Sequence, residues 1–372
     1  MSTKSRFLSL PRYFLLAIPF FVIAFVHLAI ATNLDYSAAS SPLLRMYVLN
    51  FIIAIATFHY FLTSGTKAIF GLLLQCFLVG TLSIWITLVG FSSNLSRSRA
   101  GRLSVLDMDE NNLACAAGAG AIGCLIISLS KRLPLFTRIA ALATLPFSLY
   151  VMVATGSRGG ILAFCIAFLF LLSALRSNNS WSPLRHILLP VAFALSSYLF
   201  LTNEVIMKRF ENVLQARGEV QFSGRDYLLK QTITMIAARP VQGWGEAAMA
   251  LQLGKRTRGY GEAGTHNTFL HIIATAGLPA GAMMLYFLVA PFLTFLATRS
   301  FTQYPTILAL LSFYYAAFLT LDLLHLKTFW ICLACAYAIL QMQKGNPKLP
   351  IRPPSTRNWL QSTPMNRPTT NM

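Results

Sequence analysis

The chain is 372 residues long, 56% hydrophobic and only 11% charged, with a mean hydropathy of +0.61. Soluble domains carry about a quarter charged residues, so this balance excludes a water-soluble globule. The net charge of +19 is spread over membrane flanks and loops with no basic stripe outside them, which argues against a nucleic-acid partner and for membrane orientation and an anionic ligand.

Long apolar runs with polar punctuation predict spans near 13–31, 44–63, 68–90, 111–129, 138–155, 159–175, 186–202, 270–298, 304–321 and 326–343. The first run follows Lys4, Arg6 and Arg12 and ends near Ala29-Ile30-Ala31, but its length suits a membrane span better than a cleaved signal core. The eighth run is too long for one simple span. Its first part, His266 to Gly277, is expected at the outer interface or in a cavity, and Gly277-Leu278-Pro279 opens the span proper.

Basic residues in short loops set the orientation. Arg6 and Arg12, Lys67, Lys131 and Arg132, Arg176 and Arg185, Arg299, and Lys344 fall in every second segment between spans, all on one side, which places both termini in the cytoplasm. The fold class is therefore all-α, a polytopic membrane helical bundle of about ten transmembrane helices. It divides into residues 1–202 with seven spans, a loop at 203–265, residues 266–343 with an interfacial helix and three spans, and a disordered basic cytoplasmic tail at 344–372.

The outer loop 203–265 carries nine basic against six acidic residues. Val205 to Ala216 and Asp226 to Ala238 have apolar residues at helical spacing and are expected as short helices lying on the membrane, the second closed by Arg239-Pro240. Gly243-Trp244-Gly245 and Arg258-Gly259-Tyr260-Gly261 read as mobile loop. The six cysteines all fall in apolar stretches and read as small apolar residues, including the Cys332-x-x-Cys335 pair.

Four groups of residues have the chemistry for a site. Thr155-Gly156-Ser157-Arg158-Gly159-Gly160 makes an outer hairpin turn, where Arg158 either forks onto phosphate oxygens or snorkels to lipid headgroups. Arg225, at the N-terminus of a loop helix, either meets an anion or pairs locally with Asp226 or Glu219. His266, followed by Asn267, is the best-placed general base of the six histidines; His27, His59 and His271 suit polar contacts between helices. Asp107, Asp109 and Glu110 either bind Mg²⁺ or cap a helix and pair with Arg97, Arg99 or Arg102, and capping is the favoured role.

In chain order, Asp109-Glu110-Asn111-Asn112, Gly156-Ser157-Arg158-Gly159-Gly160, Gly224-Arg225, Arg239-Pro240 with Gly243-Trp244-Gly245, His266-Asn267-Thr268-Phe269-Leu270 and Gly277-Leu278 resemble the O-antigen ligase and polymerase superfamily, over about residues 97 to 298. The resemblance implies a glycosyltransferase of the bacterial inner membrane, working at the periplasmic face without cofactor or metal. Its donor would be a glycan on undecaprenyl diphosphate and its acceptor lipid A-core. A repeat-unit polymerase shares the donor, and a lipid-linked glycan transporter is the alternative of another class.

By that resemblance His266 is the catalytic base and Arg158 and Arg225 serve the diphosphate. Ser157, Asn267, Arg97, Arg99, Arg102 and Asp109 are candidates for support. The chain departs from the family in having Tyr227 and Leu228 where a tryptophan often follows the loop arginine, and in having fewer than the commonly described twelve spans. It also lacks the long carboxy-terminal extension common in protein O-oligosaccharyltransferases.

Overall fold

The computed structural model describes residues 12–32, 37–64, 67–92, 109–130, 133–176, 225–257, 264–298, 304–322 and 324–345, with isolated positions between 190 and 207. The elements are α1 (Arg12–Leu15), α2 (Ile18–Thr32), α3 (Ser37–Ser64), α4 (Lys67–Ser92), α5 (Glu110–Leu129), α6 (Leu135–Ala154), α7 (Arg158–Arg176), α8 (Arg225–Ala238), α9 (Glu246–Arg256), α10 (Thr268–Ala297), α11 (Pro305–Phe318) and α12 (Lys327–Gly345). No β-strand occurs among the described residues. Most of the expected span at 186–202, the expected helix at 205–216, the Arg258–Gly261 segment and nearly all of the tail lie outside them.

Among the described residues, five spans are long and apolar enough to cross a membrane: Arg12–Ile30, Leu44–Thr63, Glu110–Leu129, Leu135–Ala154 and Thr268–Ala297. Shorter apolar helices cover Gly71–Ile86, Arg158–Leu172 and Thr306–Phe318. The protein is thus an all-helical membrane protein, and the figure of about ten spans stays an expectation.

Helix α5 is the centre of the bundle, with nearly all of its residues from Leu113 to Leu129 buried. Its sequence explains why. Ala117, Gly118, Gly120 and Gly123 carry almost no side chain, so α4 and α6 approach its backbone closely. A Cβ on Gly123 would stand 2.2 Å from Cys76 Cβ, and one on Gly120 3.0 Å from the Gly80 nitrogen. Around this centre α7 packs on α11 and α12 on α3, with Phe14, Phe51, Phe287, Trp330 and Tyr337 filling the seam. Cys332 and Cys335 are buried and free among these apolar neighbours; Cys165 is the exposed exception.

Two prolines in α10 shape everything that follows. Pro291 has no N–H for the Phe287 carbonyl one turn back, and the Tyr337 hydroxyl of α12 donates to that carbonyl instead, at 2.5 Å. Pro279 likewise leaves the Thr275 carbonyl without its helical partner, and the preceding Gly277 leaves helical geometry altogether, at φ 78 and ψ 170. The chain from the loop fills the gap: Trp244 N donates to Ala274 O and Gly245 N to Thr275 O, each at 2.9 Å, while Leu278 N donates to Pro240 O at 2.6 Å.

Gly243-Trp244-Gly245 is therefore not a mobile loop, contrary to the expectation from its glycines. Those glycines serve close approach instead. Gly243 has φ +69 and a Cβ there would lie 2.4 Å from Thr275 O. Trp244 Nε1 donates to Met235 O at 2.7 Å, and the Arg239 guanidinium stacks 4.1 Å over the Trp244 ring. The same docking starts α9, an unexpected helix. With Met249 and Leu253 packed against Met235 and Ala274, α8 and α9 sit on the first half of α10.

A Cβ on Gly277 would fall 2.0 Å from Val241 O, in a left-handed backbone. Gly277→Ala is expected to destabilise the protein by on the order of 3 kcal/mol, read as a lowered Tm in detergent with the loop residues 240–245 newly open to protease.

Candidate active site

His266 stands at the entrance to α10 with φ 50, the only left-handed non-glycine residue among those described. That conformation costs about 1–3 kcal/mol and persists because its neighbours over-determine it. Thr265 Oγ1 donates to Asn267 O at 3.0 Å and accepts from Asn267 N at 3.3 Å. Asn267 Oδ1 caps α10 by accepting from Leu270 N at 3.0 Å, and its Nδ2 donates to Leu319 O at 3.2 Å. Thr268 N and Oγ1 both donate to Leu321 O, at 3.0 and 2.7 Å. The His-Asn pair is thus a half-buried imidazole on a backbone pinned by the next residue to the α11–α12 connection.

The Arg158 turn reaches the same connection. Gly159 packs so tightly on it that a Cβ would meet Thr320 Oγ1 at 2.2 Å. Ser157 Oγ donates to Asn111 Oδ1 at 2.9 Å and accepts from Gly160 N at 3.3 Å, which joins the start of α7 to the start of α5. Asp109 caps α5, accepting from Asn111 N at 2.8 Å and Asn112 N at 3.3 Å. Arg158 itself is half-buried. The starts of α5, α7 and α10 and the turn between α11 and α12 therefore meet at one end of the bundle.

A cluster of ionisable groups occupies that end. His271, one turn into α10 and only 2% exposed, has Nε2 2.8 Å from Glu246 Oε2 and Nδ1 2.8 Å from Asp322 Oδ2. The first contact is a hydrogen bond; the second is an ion-pair distance without hydrogen-bond alignment. A ring facing carboxylates on both nitrogens can offer a proton to each only as the imidazolium. Tyr47 of α3 lies beside Glu246, and Thr275 Oγ1 lies 3.5 Å from Glu246 Oε2.

The connection carrying Asp322 is clamped as well. Asn50 Nδ2 donates to Leu324 O at 3.3 Å and His325 O at 2.9 Å, and Trp330 Nε1 donates to Leu324 O at 2.7 Å. Burial pushes the Asp322 carboxyl up, but the charge of His271 2.8 Å away, then those of His325 and His266, outweigh it and hold the group below its ordinary value. Burial holds the His325 imidazole below its ordinary value despite the opposing pull of Asp322 and Asp109.

Of the residues singled out in the sequence, the structure brings together the turns of Arg158, Ser157, Asp109, His266 and Asn267. Arg225 opens α8 as expected, and α8 packs on α10. Arg97, Arg99, Arg102 and Asp107 lie outside the described residues. His27 Nε2 sits 2.8 Å from Gln242 O, a contact between a helix and the loop. No group of three or more potential metal ligands occurs among the described residues.

Sequence reading passed over Glu246 and Asp322 and gave His271 only a generic polar role. One signal was available: Asp322 is the only acidic residue after Glu262, and it stands between two apolar runs. An ionisable group so placed marks a functional or structural site by default.

Fold and site together define a helical membrane protein whose polar chemistry gathers at one end of its bundle. The O-antigen ligase family model, Wzy_C, matches residues 142–285. The match supports the O-antigen ligase superfamily, a group of glycosyltransferase-like membrane enzymes. No curated protein matches the chain.

Two outcomes test this geometry. Asn267→Ala removes the α10 cap and is expected to cost about 1 kcal/mol, with Asn267→Asp costing less because an acceptor remains; thermal unfolding in detergent measures both. Because the folded Asp322 value is depressed, its stabilisation is complete above the ordinary 3.8 and is lost as pH falls through the lowered value. Wild-type Tm should therefore drop more steeply on acidification below pH about 4 than that of Asp322→Asn.

Proposed function

We propose that the protein is an O-antigen ligase, transferring a glycan from undecaprenyl diphosphate to lipid A-core at the periplasmic face of the inner membrane. The observation that carries this reading is that residues 142–285, the span of the family match, include both the Arg158 turn and the His266-Asn267 pair. Those two turns pack on one connection, at Thr320 and at Leu319 and Leu321.

The reaction the residues suit is inverting transfer without metal. His266 takes the proton of an acceptor hydroxyl as its oxygen attacks the anomeric carbon. Arg158 and Arg225 neutralise the charge that grows on the departing diphosphate, for which a planar guanidinium offers paired donors. A diphosphate leaves as an anion, so charge neutralisation matters more than a proton. The basic loop 203–265 favours the same anionic donor.

Purified protein in nanodiscs, given lipid-linked glycan and lipid A-core, is expected to form the joined product. His266→Ala and Arg158→Ala should each lower the rate by about 100-fold or more. Chain growth from lipid-linked repeat units alone would overturn the ligase reading in favour of a polymerase. Full activity of His266→Ala would remove the assignment of His266 as the base, and no joined product from the wild type under any donor and acceptor would favour a transporter.

A further inference from the structure

Asp322 has one oxygen against His271, whereas its Oδ1 is buried with no hydrogen-bond partner among the described residues. A buried carboxylate oxygen left over from an ion pair is costly unless something else uses it. The backbone shows what is near. Thr268 is tied to Leu321 by two hydrogen bonds, so the residue two before Thr268 and the residue one after Leu321 are brought together. Those residues are His266 and Asp322, and each lies within the other's electrostatic reach.

The charges around Asp322 come from every element packed there: Tyr47 on α3, Asp109 at the start of α5, Arg158 at the start of α7, Glu246 on α9, His266 and His271 flanking the start of α10, and His325 on its own connection. At neutral pH Tyr47 and His325 carry no charge, Asp109 is engaged in capping α5, and Arg158 is the residue assigned to the diphosphate. The set at the centre is two carboxylates, Glu246 and Asp322, on the His271 ring. With His271 as the imidazolium the set carries one negative charge, and Asp322 Oδ1 is its buried carboxylate oxygen without a hydrogen bond among the described residues.

We propose that Asp322, braced by His271 and Glu246, is the positioning residue of the His266 base, orienting its imidazole and stabilising the imidazolium formed during transfer. The proposal rests on the reading of His266 as the base. In the step, the acceptor O–H bond breaks and its electron pair forms the new bond to the anomeric carbon. The bond from that carbon to the diphosphate oxygen breaks, and its electrons stay on the diphosphate. The proton rests on His266, whose new positive charge cancels the single negative charge of the cluster. Asp322 takes no proton, because the His271 imidazolium already favours its ionised form. Glu246 holds His271 from the far side, and the docking of Gly245 on Thr275 holds Glu246.

The test is kcat/KM against pH in nanodiscs for wild type, Asp322→Asn, Asp322→Glu, Glu246→Gln and His266→Ala, with thermal unfolding as the check on folding. Removing the Asp322 charge makes His266 a weaker base, so Asp322→Asn is expected to lower the rate about 100-fold and move the acid limb down by about one pH unit. Asp322→Glu should recover part of the rate with the limb back near the wild-type position. Should Asp322→Asn not fold, Glu246→Gln carries the test, since it removes one negative charge and leaves Asp322 in place; its limb should move the same way by less. An acid limb unmoved in every folded variant while His266→Ala is inactive overturns the proposal alone. A fully active His266→Ala overturns the base assignment beneath it.

Discussion

An imidazole held between two carboxylates is the constraint on which the rest of this structure turns. His271 belongs to α10, Glu246 to α9 and Asp322 to the connection between α11 and α12, so a single side chain couples the docked loop, the kinked helix and the last helical pair. Removing one member of such a buried set strands the others and typically costs about 3–5 kcal/mol. That penalty is not evidence that the set stabilises the fold relative to an apolar packing of the same shape. What it supplies is specificity: the loop has one register in which Glu246 meets His271.

The register is prepared by backbone chemistry before any charge is involved. Pro279 removes a donor, Gly277 turns the chain, and the exposed carbonyls of Ala274 and Thr275 accept the amides of Trp244 and Gly245. Glu246 is the next residue, and so it is delivered beside His271. The glycines on both strands of this contact leave no room for a side chain, which makes the docking intolerant of substitution. A helix broken by proline and glycine within a bundle is tolerated only where other groups satisfy the freed backbone. Here the satisfying group is the loop itself, and the break becomes the joint between loop and bundle.

Much of the fold was legible in the sequence, because length and apolar content determine which segments suit a bilayer. The expected runs at 111–129, 138–155 and 159–175 correspond to α5, α6 and α7, and Gly277-Leu278-Pro279 marks the break in α10. The Arg158 and His266-Asn267 turns, singled out by residue type and order, pack on one connection. The Gly243-Trp244-Gly245 segment was misread because glycine signals either freedom or close approach, and only a neighbouring backbone distinguishes them. The Glu246–His271–Asp322 set was illegible because its members lie in three separate segments and none forms a local pattern. Only the isolation of Asp322 in an otherwise acid-free stretch pointed to it.

The opposing charge requirements of the proposed reaction give this arrangement its logic. A departing diphosphate calls for positive charge, whereas a base that must accept a proton gains from negative charge beside it. Placed together in a low-dielectric setting, arginines and carboxylates would pair with one another and cancel. The structure keeps the two sets on different elements: Arg158 sits on the turn entering α7, which packs on Thr320, and the carboxylates sit behind His271, which binds them both. His271 thus does more than brace Asp322. By consuming one of the two negative charges it leaves a buried oxygen of Asp322 without a hydrogen bond among the described residues, and the backbone pairing of Thr268 with Leu321 brings that residue to His266.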